Sequence, residues 1–264
     1  MGMPLSTSSI VAIIIIVLLF GMVILYGVRT AIIGRRQERR AEKEGGTVFV
    51  SLWVMESFYW AIRIPGRACA KVGLKPDHLT WISLLLSLGA LPAAALGRFS
   101  IAGGFVIAGA VFDALDGMVA RELGISSDAG EVLDAVTDRY ADAAPLVGLI
   151  FFYRFSPWQM AVPFAALIGS MMVSYLRAKS EAMELKLPSG LMRRHERITY
   201  MSVALVIGPE LSRWLGKPAG AEHPAMLAVV ALVALVSNFA AIRMAVQARR
   251  ELVRAGRGVG GTKP

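Results

Sequence analysis

The chain has 264 residues, a formal net charge of +9, a hydrophobic content of 56% and a mean hydropathy of +0.59. This hydropathy is far above that of soluble domains and indicates a bundle of membrane helices. The single cysteine, Cys69, excludes an internal disulfide and a cysteine-based zinc or iron–sulfur site. No basic–aromatic pattern indicates a nucleic-acid partner, so the positive charge is expected to face anionic membrane lipids.

The first predicted element is an uncharged apolar run, IVAIIIIVLLFGMVILYGV, over Ile10–Val28. At about 1.5 Å per residue it is long enough to cross a hydrocarbon layer of roughly 30 Å. The basic residues that follow it are Arg29, Arg35, Arg36, Arg39, Arg40 and Lys43. Because positive residues collect on the cytosolic side, we predict a retained transmembrane anchor over 1–33 that starts outside, followed by a basic cytosolic linker over 34–50.

Aromatic and basic residues are mixed in the next segment, SLWVMESFYWAIRIPGRACAK. Such a segment is too polar to span the membrane, but it suits the headgroup layer with its rings turned inward. We therefore predict an interfacial amphipathic helix over 51–72.

Six further apolar stretches are predicted to span the membrane, at about 79–97, 101–120, 132–153, 158–178, 198–212 and 224–246. The positive-inside rule places the turn at 122–130, the segment 179–197 and the C-terminal tail in the cytosol. The predicted fold is therefore an all-α integral membrane protein. It has a six-span helical bundle over 73–249, one extra N-terminal transmembrane helix, and a disordered basic tail over 250–264.

Acidic residues gather at the cytosolic ends of two neighbouring predicted spans. Asp113 and Asp116 share one helix face, and Asp134 and Asp138 share a face of the next helix, because of their i, i+3 and i, i+4 spacing. Four carboxylates at the membrane boundary would repel one another and be costly to desolvate unless a cation lay between them. Oxygen ligands without histidine or cysteine favour a hard ion such as Mg²⁺, Mn²⁺ or Ca²⁺, and several carboxylates allow two ions.

Small residues accompany the acids on the same two helix faces. Gly117, Ala120 and Gly130 would keep a ligand-sized space open, and Arg121 stands at its mouth. Metal ions beside such a cleft, together with a guanidinium group, suit a bound diphosphate.

The two faces together form the pattern Asp113-x2-Asp116-Gly117-x2-Ala120-Arg121-x8-Gly130-x3-Asp134-x3-Asp138. This pattern resembles the signature of the CDP-alcohol phosphatidyltransferases, a family of six-span integral membrane enzymes. Agreement at eight fixed positions is not expected by chance. The likeness covers about 53–249, so the first span and its linker are an addition to the family core.

The resemblance implies a role for each residue of the pattern. Asp113, Asp116 and Asp134 would hold two metal ions, Mg²⁺ or Mn²⁺, and through them the diphosphate of a CDP-lipid. The CDP-lipid pocket would be lined by Asp113, Gly117, Ala120, Arg121 and Gly130, with Pro76 and Thr80 near the nucleotide. Asp138 would complete the metal ligands and act as the general base, since a carboxylate within hydrogen-bond reach helps to remove the proton of an attacking hydroxyl.

A basic stretch, SYLRAKSEAMELKLPSGLMRRHER over Ser174–Arg197, lies on the predicted cytosolic side. It resembles the Ser-Tyr-x-Lys/Arg-Ala-Arg/Lys-x-Glu and Arg-x-x-Glu-Arg motifs of phosphatidylinositol phosphate synthases and related archaeal enzymes, whose acceptor is inositol phosphate. By this resemblance the acceptor phosphate is bound by Arg177, Lys179, Arg194 and Arg197. The sequence departs from the pattern at Lys179, where arginine is usual, and at Glu184, where glycine is expected. In the alternative interpretation such cations only anchor the end of a span.

These features predict an enzyme of a prokaryotic cell membrane with a cytosol-facing active site. It would transfer a phosphatidyl group from CDP-diacylglycerol, or from an archaeal-type CDP-lipid, to myo-inositol phosphate and release CMP. The family resemblance also implies a homodimer. Two alternatives remain. The first is the same chemistry with glycerol 3-phosphate or another alcohol as acceptor, and the second is a divalent-cation transporter whose acids line an ion pathway.

Overall fold

The computed structural model describes residues 7–34, 52–125, 127–185, 191–216 and 223–257. Within these ranges the chain forms α1 Thr7–Ile33, α2 Leu52–Lys71, α3 Pro76–Ala95, α4 Phe99–Leu123, α5 Asp128–Phe152, α6 Pro157–Ala182, α7 Arg194–Val206, α8 Gly208–Trp214 and α9 Pro224–Arg254. The described part of the chain is all-α, as the hydropathy predicts. Residues 35–50 of the predicted linker and 258–264 of the predicted tail lie outside the described residues.

Five helices in the described ranges are long and apolar enough to cross a membrane, namely α1, α3, α4, α6 and α9. They include the predicted extra N-terminal span and four of the six predicted spans that follow. α5 has 25 residues but many charges, and α7 has only 13 residues, so neither meets the same criterion of length and composition. Four of the six spans predicted after the first are therefore candidate spans in the structure, and the count of six is not confirmed.

The predicted span over 198–212 is divided in the structure into α7 and α8, which meet at Ile207. Gly208 and Pro209 begin the second helix, and proline favours the first turn because it has no N–H to donate. Gly208 also passes very close to α9, since a Cβ at this position would lie 2.7 Å from the Cα of Met226. The break thus allows a close crossing of the two helices.

The C-terminal end of α9 differs from the prediction. The helix continues to Arg254, which is inside the segment 250–264 predicted as disordered. Arg254 Nη1 donates to Glu251 Oε1 at 2.9 Å, an i, i+3 pair, and a cation near a helix C-terminus is favourable.

α2 lies where the interfacial helix is predicted. It buries Ile62 and Gly66 on one side, and the side chains of Leu115 and Met118 on α4 lie against Gly66. The position of α2 in the headgroup layer stays a prediction.

The main hydrophobic core lies between α3, α4, α5, α6, α7 and α9, with Leu149, Leu205 and Val230 fully buried. Small residues let the helices approach closely, as is usual in membrane bundles. At the crossing of α3 and α5, a Cβ on Gly148 would lie 2.5 Å from the carbonyl oxygen of Leu91 and 2.7 Å from the Cβ of Ala94. This crossing holds α5, the helix that carries Asp134 and Asp138.

We expect Gly148→Ala to lower the free energy of unfolding by about 1–3 kcal/mol, because the added methyl group must push the α3 backbone away. Thermal or denaturant unfolding in detergent would measure the change. Gly21→Ala in α1 is the matched control, since no atom lies within 4 Å of the added Cβ. Equal stability of the two variants would contradict this account of the crossing.

Candidate active site

Three aspartates from two helices meet at the site. Asp113 and Asp116 of α4 and Asp134 of α5 each place one carboxylate oxygen within 4.8 Å of the others. Asp116 is buried, whereas Asp113 and Asp134 are half-buried. The structure therefore brings together three of the four residues predicted as metal ligands.

Thr80 on α3 contacts this group directly. Its Oγ1 donates to Asp116 Oδ2 at 2.7 Å, and it also lies 3.2 Å from the carbonyl oxygen of Pro76. Pro76 starts α3 and Thr80 stands one helical turn later, facing α4. Of the two residues predicted to lie near the nucleotide, Thr80 thus contacts a carboxylate, and Pro76 contacts Thr80.

Asp138 stands one turn beyond Asp134 on α5 and is joined to the group through Arg194. Arg194 Nη1 donates to Asp113 Oδ2 at 2.8 Å, and Arg194 Nη2 lies 2.7 Å from Asp138 Oδ1. In the described part of the chain this buried Oδ1 accepts no hydrogen bond, so its contact with Arg194 is an ion pair. One arginine at the start of α7 therefore bridges the acidic faces of α4 and α5.

Arg197 is buried, with only 5% of its surface exposed, and it connects neighbouring helices. Its Nη2 donates to Asp142 Oδ2 at 2.6 Å and to Ser174 Oγ at 3.0 Å, and its Nη1 donates to the carbonyl oxygen of Met192 at 2.8 Å. It thus links α7 to α5 and α6. Asp142 and Ser174 were not predicted as site residues, although Asp142 continues the i, i+4 series of Asp134 and Asp138 on α5.

The other two cations of the predicted acceptor site are exposed near the end of α6. Arg177 is one turn beyond Ser174 and so shares the side of α6 that Arg197 contacts. Lys179 is turned from Ser174 by about 140° at 100° per residue. The helix geometry favours Arg177 over Lys179 as a contributor to the site.

The remaining predicted residues lie around the carboxylates or at the turn between α4 and α5. Gly117 and Asp113 line a cavity, described below. Ala120 is half-buried, and Arg121 is exposed in the last turn of α4, which Gly124 caps. The amide of Gly130 donates to Oγ of Ser127 at 3.1 Å, and Ser127 thereby caps the start of α5.

Aspartates outnumber the arginines of α7 that contact them at the site. Five aspartates contact one another or the two arginines of α7, and Arg139 comes only to 4.0 Å from Asp138. Such a surplus at a membrane boundary is costly without a further cation. Because the donors of the three-aspartate group are all carboxylate oxygens, they fit a hard divalent ion held by Asp113, Asp116 and Asp134.

A cavity of about 590 Å³ opens beside the carboxylates. Asp113, Asp116, Asp134, Asp138, Gly117 and Arg194 line its polar end, and apolar residues of α1, α2, α4 and α7 line most of the rest. Its volume is within the range of roughly 300–1,000 Å³ that is typical of small-molecule sites. The cavity suits a ligand with an anionic head and an apolar tail.

The chain is similar to known proteins in sequence and in fold. The sequence model of the CDP-alcohol phosphatidyltransferase family matches residues 74–246. The chain is 39% identical over 140 residues to the archaetidylinositol phosphate synthase of Pyrococcus horikoshii. The aligned region covers 53% of this chain and 73% of that protein. It is 35% identical over 136 residues to the phosphatidylinositol phosphate synthase of Mycobacterium tuberculosis, covering 50% of this chain and 63% of that protein.

The fold is similar to crystal structures of the same M. tuberculosis protein. The structure with CDP-DAG bound superimposes with a TM-score of 0.61 and 27% identity, covering 71% of this chain and 92% of that chain. A second structure, in complex with manganese and citrate, has a TM-score of 0.61 and 28% identity, covering 71% and 88%. The chain belongs to the CDP-alcohol phosphatidyltransferase family and is a membrane enzyme with bacterial and archaeal relatives. The family match begins after α2, so α1 lies outside it.

Proposed function

We propose that this enzyme transfers a phosphatidyl group from CDP-diacylglycerol to myo-inositol phosphate and releases CMP. The observation that carries the proposal is the position of Asp138 and Arg194 beside the three-aspartate group. A base, an anion-binding guanidinium group and a divalent-ion site are thereby available at one point. The CDP-DAG in the M. tuberculosis structure supports the donor, and the names of both relatives support an inositol phosphate acceptor.

At the donor end, Asp113, Asp116 and Asp134, completed by Asp138, would hold two divalent ions, Mg²⁺ or Mn²⁺. When bound, these ions would offset the charge that develops on the diphosphate oxygens. Thr80 orients Asp116 through its hydrogen bond to Oδ2. The nucleotide side is assigned to Pro76, Thr80, Gly117, Ala120, Arg121 and Gly130.

Asp138 is assigned as the general base. Its carboxylate takes the proton of the acceptor hydroxyl, and the resulting oxygen attacks the phosphorus that bears the diacylglycerol. The bond from this phosphorus to the oxygen of CMP breaks, and CMP leaves with the bonding electron pair. Because the phosphoryl group passes directly between two oxygens, positioning and charge stabilisation supply most of the catalysis.

The acceptor phosphate is assigned to the cations at the ends of α6 and α7. Arg194 already lies against Asp113 and Asp138, and Arg177 stands on the side of α6 that contacts Arg197. Arg197 is committed to Asp142 and Ser174, so it holds this surface together. Lys179 contributes its charge from farther around α6.

We expect purified enzyme with CDP-dioleoylglycerol and Mg²⁺ to release CMP with inositol 1-phosphate, and at least about 100-fold more slowly with unphosphorylated inositol, since the cations would lack their anion. The measurement is the rate of CMP release, with the lipid product identified by mass spectrometry. An equal or faster reaction with glycerol 3-phosphate would reject inositol phosphate as the acceptor, but the enzyme class would stand. Divalent-ion flux into liposomes without CDP-lipid would instead support the transporter.

Two variants of α6 refine this experiment. Arg177→Gln should raise the KM for inositol phosphate by about tenfold or more, the worth of a charge-assisted hydrogen bond, and leave the KM for CDP-lipid unchanged. Lys179→Gln removes the same charge two residues away and should change the acceptor KM by less than about threefold. A larger change of the acceptor KM in Lys179→Gln than in Arg177→Gln would place the acceptor phosphate on the other side of α6.

We also propose that six spans follow α1, with α5 as one and α7 and α8 together as another. From Arg194 to Trp214 two consecutive helices would cover roughly 30 Å at 1.5 Å per residue, which is the hydrocarbon thickness. The basic residues at the ends of α6 and α9 support a cytosolic active site. A homodimer is likewise proposed from the family resemblance.

A further inference from the structure

α1, which like α2 lies outside the family match, is docked on the rest of the protein. Near its C-terminal end, Tyr26 is fully buried and donates to Glu56 Oε2 of α2 at 3.3 Å. The Tyr26 ring also lies 5.6 Å from the ring of Trp53 and 5.8 Å from that of Trp60, measured between centroids. A helix that served only as a membrane anchor would need none of these contacts.

The other end of α1 is held by α8. Arg213 Nη1 donates to Ser9 Oγ at 2.8 Å, and Arg213 Nη2 donates to Glu210 Oε1 at 2.6 Å. Ala12, one turn beyond Ser9, is 1% exposed. Contacts at both ends therefore fix the rotation of α1 about its axis.

That rotation turns one face of α1 toward the cavity beside the aspartates. The face consists of Ile15, Ile16, Leu19, Met22 and Val23. Across the cavity, α7 presents Ile198, Thr199, Ser202, Val203 and Val206. Both sets follow helical spacing, so α1 and α7 form two walls of the cavity along its length.

The cavity extends from the aspartates into the depth of the bundle. Ile15 Cδ1 lies 3.5 Å from where a Cβ on Gly104 would stand, so α1 packs on α4 at this point. Gly104 precedes Asp113 by nine residues, which is about 13 Å along α4. A lipid with its diphosphate at Asp113 could therefore place one hydrocarbon chain between α1 and α7.

Resting on the proposed function, we infer that α1 is the outer wall of a chamber for one hydrocarbon chain of the CDP-lipid, and that its inward face selects among chains. Continuity between the apolar cavity and the diphosphate site identifies the occupant as this chain. A chain that leaves the bilayer for an apolar chamber gains little free energy, because lipid tails are as apolar as leucine side chains. α1 therefore acts through the shape of the chamber. It affects the selectivity between CDP-lipids more than the affinity for them.

Ile16→Trp and Val17→Trp test the inference as a matched pair. Ile16 lines the cavity, whereas Val17 is 62% exposed on the outer side of α1. Specificity, kcat/KM, is measured in mixed micelles with CDP-dioleoylglycerol and with CDP-dihexanoylglycerol. Ile16→Trp should lower the ratio of long-chain to short-chain specificity by about tenfold, the scale at which a filled pocket discriminates, and Val17→Trp by less than about twofold. Equal ratios in the two variants would overturn the inference.

A second measurement uses the wild-type protein and depends on no variant. A CDP-lipid with a diazirine in the middle of one acyl chain is photolysed in the presence of the enzyme, and the labelled peptides are mapped. Labelling of 15–23 that excess CDP-dioleoylglycerol removes is the expected result. Labelling confined to other helices, or labelling of α1 that CDP-dioleoylglycerol does not reduce, would overturn the inference.

The two proposals fail in different ways. If the enzyme releases no CMP with inositol phosphate, the proposed acceptor is wrong, but the chain-length ratio can be measured with whichever acceptor reacts. The photolabelling experiment needs donor binding only and no acceptor. Unchanged ratios in an enzyme that uses inositol phosphate would instead reject the role of α1 alone.

Discussion

Asp138→Asn is expected to reduce turnover by about 10²–10⁴-fold, the usual contribution of a general base, while the fold and CDP-lipid binding are retained. The amide has the shape of the carboxylate but cannot take the proton of the acceptor. Arg194 keeps its 2.8 Å contact with Asp113 and its 3.6 Å contact with Asp142, so the bridge between α4 and α5 survives the change. Single-turnover CMP release and equilibrium binding of labelled CDP-lipid measure the two properties separately.

Asp128→Asn is the control for this variant. It removes the same charge from the same helix, but Asp128 is exposed in the first turn of α5. Turnover should change by less than about twofold, since a surface charge near a helix end contributes only a few tenths of a kcal/mol. Full activity of Asp138→Asn, or an equal loss of turnover and CDP-lipid binding, would remove Asp138 from the role of base.

Chelation of divalent ions is expected to abolish turnover, and addition of Mg²⁺ or Mn²⁺ should restore it. Asp134→Asn should require a larger increase in metal concentration than Thr80→Val, because it removes a carboxylate ligand itself. Thr80→Val should weaken metal binding by about 10–100-fold, the usual loss when a partner of a ligand is removed, because Asp116 Oδ2 loses its donor.

Activity as a function of metal concentration, together with electron paramagnetic resonance of Mn²⁺, would give the metal affinity of each variant. Asp128→Asn again serves as the control and should bind metal as the wild type does. Undiminished turnover after chelation would be incompatible with the three-aspartate group as a metal site.

The positions of most helices could be predicted from the sequence, because long apolar runs leave few alternatives in a bilayer. Prolines at Pro157 and Pro224 also mark the starts of α6 and α9. The division of 198–212 was missed because an apolar window averages over it. Gly208 and Pro209 were the available signal, since this pair commonly interrupts a helix.

The acidic faces of α4 and α5 follow from residue spacing, but their partners on α7 do not. Arg194 and Asp113 are 81 residues apart in the chain, and Arg197 and Asp142 are 55 apart. Such pairs depend on how distant helices cross, which helical periodicity alone does not contain. The family resemblance located Arg194 and Arg197 without identifying the carboxylates that they contact.

The acidic face of α5 has a consequence for how the protein is made. An aspartate at the centre of a transmembrane segment costs about 2.5–3.5 kcal/mol for insertion, and in the proposed topology Asp142 lies near the middle of the span formed by α5. Asp142 acquires its guanidinium partner only when α7, which is synthesised after α6, reaches it. In the proposed six-span topology we therefore expect α5 to stay beside its earlier neighbours during translation, and the active centre to be completed late in biogenesis.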